Sequence, residues 1–245
     1  AKKAAPAKKE AGKPAVKRPA VSRKSGETGA DGTVTWNFKQ LSHHLLDGFG
    51  GMGEGMSVQI APDGRRIIWL AHESAPKNFT AVDVSNPRKP KVVCQTDLPH
   101  SDVRSNSLET CGNMMAVAYQ TKGKNMKPAG MELFDISKPE NPKSIGFFDC
   151  SGEHSRGVHQ LWFCDGEYVH MASSAPDFIP THPQDDQFYR CIDVRNPSKP
   201  VEVGRWHMPG QHIAGGETPT WQGTEHRCHH PLRMGNRLYT SYWLG

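Results

Sequence analysis

From about residue 57 onward the chain is a succession of short apolar runs, four to seven residues long, separated by polar turn residues. The runs at 57–60, 67–71, 79–84 and 91–94 are rich in Val, Ile, Phe and Trp, and that composition at that length predicts β-strands. The same order recurs at 107–110, 114–119, 130–136 and 144–148, and again at 158–163, 168–172, 188–194 and 201–206. A fourth series opens at 228–232 and continues at 238–242. Between the first two runs of each series stand Asp63-Gly64, Gly112-Asn113, Asp165-Gly166 and Gly235-Asn236, pairs that favour tight two-residue hairpins.

Between the third and fourth runs the chain repeats one phrase three times: Asp83-Val-Ser-Asn-Pro-Arg-Lys-Pro, Asp135-Ile-Ser-Lys-Pro-Glu-Asn-Pro and Asp193-Val-Arg-Asn-Pro-Ser-Lys-Pro. Its chemistry is that of a turn. Asp and Asn side chains accept backbone N–H groups just after a strand, and proline fixes φ and forbids helical continuation. Asp83, Asp135 and Asp193 stand 52 and 58 positions apart, enough for four strands and one long loop per unit. The reading is therefore an all-β chain, a β-propeller of four-stranded blades with about three and a half blades present. A half unit cannot close a ring, so this reading takes the chain for a fragment of a longer propeller.

The repeats resemble those of the LVIVD family, whose members are propellers or predicted propellers, many of them uncharacterised. The resemblance is carried by Thr80-Ala-Val-Asp-Val-Ser-Asn-Pro, Glu132-Leu-Phe-Asp-Ile-Ser-Lys-Pro and Arg190-Cys-Ile-Asp-Val-Arg-Asn-Pro, and runs from about His43 to the last residue. Gly215-Gly-Glu-Thr-Pro ahead of His229-His230 looks like one bacterial branch of that family. It implies an architecture and leaves the activity open.

Composition divides the chain. Residues 1–33 hold nine Lys or Arg against three acidic residues and no aromatic residue, so they read as a disordered basic tail ahead of a repeat domain over 34–245. The tail carries +6 of a whole-chain charge of +5, which leaves the repeat domain at −1. Such a tail is suited to touching nucleic acid or another anionic surface through counterion release. The chain has no apolar run of about 18 residues, so no transmembrane segment is expected. Six scattered cysteines without a C-x-x-C pair favour free thiols and a cytoplasmic location, with the cell surface or periplasm as the alternative if a signal precedes the chain.

Thirteen histidines are the candidate chemistry. In an antiparallel four-stranded unit the repeat turns lie at one end and the remaining loops at the other, and nearly all the imidazoles fall at that other end. His159 and His229 open the first strands of their units, the innermost strands of propeller blades, where they would flank a central channel. His72, at the exit of a second strand, and His44, ahead of the repeats, complete the candidate metal set of His72, His159, His229 and His44. Imidazoles suit Fe, Zn or Cu, and three or four from separate units leave an open site able to activate water or dioxygen. Axial histidines hold a metal in carotenoid-cleaving oxygenases and methanethiol-oxidase propellers, a likeness of architecture and not of sequence. In the long connection 208–227 Glu217 is a candidate general acid or base and Trp221 a substrate wall, and His230 is a second proton-handling group. The expectation is an oxidoreductase or lyase acting on a small organic substrate. The alternative is a non-catalytic interaction propeller whose tail meets an anionic surface.

Overall fold

The computed structural model describes residues 27–28, 34–48, 53–223 and 225–244, and the basic segment therefore lies outside the described residues except for Glu27 and Thr28. Those two form strand β1 (Glu27–Thr28), antiparallel to β2 (Val34–Thr35), in a unit that ends at Leu41. The second unit, from Ser42 to Gly245, holds every other strand. Among the described residues there is no α-helix, and no helix long and apolar enough to cross a membrane.

Three four-stranded antiparallel sheets follow one another, each a meander in chain order. The first is β3 (Met56–Ile60), β4 (Arg66–Ala71), β5 (Lys77–Asp83) and β6 (Lys91–Asp97). The second is β7 (Val103–Cys111), β8 (Met114–Thr121), β9 (Gly130–Asp135) and β10 (Lys143–Asp149). The third is β11 (Val158–Trp162), β12 (Tyr168–Ser173), β13 (Phe188–Asp193) and β14 (Val201–Trp206). A two-stranded hairpin, β15 (Cys228–Met234) and β16 (Arg237–Tyr242), comes last. None of these sheets closes on itself.

Strand alternation explains how the sheets stack. Successive side chains of a strand point to opposite faces, and β8 is buried on both. Its Met115, Val117 and Tyr119 join Ile67, Trp69 and Phe79 of the first sheet in one apolar cluster. Its Ala116 and Ala118 join Leu161, Val169 and Met171 of the third sheet in another. Each fully buried large side chain here stabilises the stack by roughly 1.5–3 kcal/mol. First strands lie side by side, β3 against β7, β7 against β11 and β11 against β15. In the second and third sheets the fourth strands β10 and β14 are the most exposed, whereas in the first both outer strands β3 and β6 are partly exposed.

The repeated phrase is the turn that its residues demand. Asp83 accepts the Ser85 amide at 2.9 Å, Asp135 the Ser137 amide at 2.8 Å and Asp193 the Arg195 amide at 3.0 Å. These bonds help to hold all three carboxyls below the usual carboxylate range, led at Asp83 by the Ser85 hydroxyl and at Asp193 by the Arg195 side chain. All six cysteines are free thiols.

Candidate metal centre

An irregularity at the same place in three first strands builds the centre. Pairing of β7 with β8 shifts between Ser105 and Ser107, that of β11 with β12 between Val158 and Gln160, and that of β15 with β16 between Cys228 and Pro231. Each is a β-bulge, an extra residue that leaves the ladder and re-aims its side chain. The bulged residues are Asn106, His159 and the His229-His230 pair. Because the first strands are neighbours, these side chains meet: the His159 and His229 rings lie 4.9 Å apart, centre to centre.

The first sheet contributes by a different route. β3 pairs regularly, and the residues just ahead of it run against the bulge of β7, with the Glu54 amide donating to the Asn106 carbonyl at 3.1 Å. Gly55 permits this approach, since a Cβ there would stand 2.3 Å from the Leu108 nitrogen. Glu54 is thereby carried to the histidines, its carboxylate 3.9 Å from His229 Nε2. One ligand atom each from Glu54, His159 and His229 falls within 4.8 Å of the others, a spacing that a single ion spans.

His159 is oriented by its neighbours. Arg104 donates to Gln120 Oε1 through Nε at 3.2 Å and Nη2 at 2.7 Å, which fixes that oxygen as an acceptor. His159 Nδ1 lies 3.1 Å from the same oxygen and so carries the ring proton, leaving Nε2 with its lone pair. Asn106 Nδ2, 3.2 Å from Nδ1, donates to the His159 carbonyl at 3.0 Å and holds the bulge. Burial, then the nearby His229 and the guanidinium groups of Arg104, Arg227 and Arg156, push the His159 pKa down to about 3. The ring is neutral at physiological pH, the state a metal requires. His159 is buried, whereas Glu54 and His229 are partly open to solvent, so the cluster has a closed inner side and an accessible outer one.

The other candidates from the sequence sit elsewhere or play visible structural parts. His72 is fully buried with Nε2 2.7 Å from Thr80 Oγ1, and it is not part of the cluster. His44 accepts the Leu46 amide at 2.9 Å and also lies outside the cluster. Glu217 is exposed and accepts the Gly210 amide at 2.7 Å, bracing the long loop. Trp221 stacks obliquely on His226, ring centres 5.0 Å apart. His230 shares the bulge with His229, faces Trp162 at 6.3 Å, and is held low in pKa chiefly by burial; its Nε2 is buried without a partner.

Sequence reasoning overlooked Glu54, Gln120 and Asn106. Alternation gives no sign of a bulge, and the position in the second unit matching the histidines falls on Asn106. A carboxylate set between glycines in Gly53-Glu54-Gly55, just ahead of a strand, was the available signal. Beside the cluster a cleft of about 280 Å³ is lined by Arg104, Gln120, Lys122 and Arg156, so the Gln120 that orients His159 also forms a wall of open space. Two imidazoles and one carboxylate suit Zn or Fe(II), with coordination positions left for water or substrate. No protein-family model matches the chain, and no curated protein matches it.

Proposed function

We propose that the protein is a metal-dependent enzyme of the LVIVD-repeat propeller type, with Glu54, His159 and His229 as the ligands and a small organic substrate entering from the Gln120 cleft. The observation that carries this reading is the convergence of three ligand atoms within 4.8 Å, from the segment ahead of β3, from β11 and from β15. Two of the three, His159 and His229, stand on β-bulges of neighbouring first strands. The stacked meanders with adjacent first strands support the propeller, and His159 and His229 then stand on its inner strands with Glu54 just ahead of another.

A metal at this site supplies Lewis acidity and lowers the pKa of bound water towards neutrality. The protein's own groups supply the rest. Gln120 keeps the His159 proton on Nδ1, and Asn106 fixes the bulge that carries the ring. His230, kept neutral by burial, serves as the proton acceptor beside the cluster. Elemental analysis of the purified protein tests the proposal: one equivalent of Zn, Fe or Cu supports it, and no stoichiometric metal, with none taken up on addition, defeats it.

A second reading, a non-catalytic interaction platform, has one observation in its favour. Met56, Val58 and Ile60 form an exposed apolar row on β3, each 58–63% accessible. That reading predicts a protein partner bound whether or not metal is present.

A further inference from the structure

A second cleft, at the seam of the first two sheets and separate from the metal cluster, has the chemistry of a cation site. It measures about 500 Å³ and is walled by Tyr119, Phe134 and Phe147, with Glu132, Asn78 and Thr96 among its polar groups. A directional chain of hydrogen bonds sets the polarity of this surface. Glu132 is a carboxylate and accepts only, so the Tyr119 hydroxyl donates to it at 2.7 Å. The tyrosine oxygen must then accept from Asn78 Nδ2, which it does at 2.8 Å. This fixes the Asn78 amide with Oδ1 on the other side, where it is buried with no donor, and Thr96 Oγ1 is likewise buried without a partner.

Asn78 Oδ1 and Thr96 Oγ1 are themselves closed off from solvent, so the polarity of the cleft towards a ligand is set by its carboxylates. Of its two carboxylates, Asp97 is neutralised by Lys77 at 2.7 Å, but Glu132 has no cationic partner among the described residues. Phe147 is 39% exposed, stacked on Tyr119 with ring centres 6.4 Å apart, and lines the same space, where an aromatic ring can attract a cation. An unpaired carboxylate beside a partly exposed aromatic ring favours a positive charge attached to an apolar stem. An anion meets only repulsion there, and a neutral apolar molecule leaves Glu132 desolvated and unpaired.

We propose that this cleft binds a small primary alkylammonium ligand, its charged head towards Glu132 and its stem along Phe147 and Phe134. Binding is independent of the metal centre.

The test is calorimetric or ligand-observed NMR titration of the full chain with n-butylammonium, and with 1-butanol as its neutral counterpart, at constant ionic strength. Saturable binding of n-butylammonium in the millimolar range is expected, with 1-butanol at least about tenfold weaker. Glu132→Gln is expected to remove that preference, and Phe147→Leu to weaken n-butylammonium severalfold while leaving the fold intact. Equal affinity for the two probes, no saturable binding of the ammonium, or a Glu132→Gln protein that is folded yet binds unchanged overturns the proposal. If Glu132→Gln fails to fold, Phe147→Leu decides: an unaltered ratio of the two affinities is the contradicting result.

Discussion

The two ends of the stacked sheets use the same residue types to opposite effect. At the turn end, Asp83, Asp135 and Asp193 each accept a backbone amide from two residues further on, and their carboxyls are held low by those local bonds. At the other end, Glu54 and His159 make contacts with partners 39 or more residues away in sequence, and Gln160 and Asn106 are buried around them. Local satisfaction makes a turn that stabilises whichever strands it joins. Long-range convergence makes a site, because only the finished stack brings its members together. The repeated turn is thus scaffold, and the candidate chemistry lies at the end away from it.

Substitutions separate the two ends. His159→Ala is expected to lower metal affinity by about a hundredfold or more while leaving the turn end untouched, as measured by competition with a chromophoric chelator. Gln120→Leu removes the group that orients His159 and should cost about ten- to a hundredfold, whereas Gln120→Glu, which keeps an acceptor at that place, should restore binding. Gly55→Ala forces a Cβ against the β7 backbone and displaces Glu54; about tenfold weaker metal binding and a loss of roughly 2 kcal/mol in denaturant unfolding are expected. At the turn end Asp135→Ala should lower stability by about 1 kcal/mol with no change in metal affinity. A metal defect in that variant would erase the distinction between scaffold and site.

The smallest effect is a dependence on pH. Because Asp83 and Asp135 titrate below their ordinary value of 3.8 when folded, the stability they add is present above the unfolded pKa and is lost as pH falls through the depressed folded one. The stability difference between the native protein and Asp135→Asn should therefore shrink on acidification below about pH 4, followed by urea unfolding at successive pH values. A difference that grows in acid would show that the carboxylate is not held by its turn.

Much of the scaffold is legible in the sequence because it rests on local rules. Asp-Gly and Gly-Asn pairs set the hairpins, the Asp and Pro phrases set the third turns, and alternating runs set the strands, so the three four-stranded meanders and the last hairpin follow the order of the apolar runs. His159 and His229 were recognisable because they open the first strands of equivalent units. Asn106 and Glu54 were not, for the reason that a bulge shifts register by one residue without leaving a compositional mark, and Glu54 precedes its strand. His72 and His44, which the same reasoning placed with them, find partners in Thr80 and the Leu46 amide because nothing in a strand pattern reports which side of a sheet end a side chain takes.

The central claim is that Glu54, His159 and His229 bind one ion together. X-ray absorption spectroscopy of the protein loaded with one equivalent of zinc tests it most directly. Two imidazole nitrogens at about 2.0–2.1 Å and a carboxylate oxygen at about 2.0–2.2 Å are predicted, falling to one imidazole in His159→Ala. A spectrum without imidazole scattering, or one unchanged by that substitution, would contradict the account.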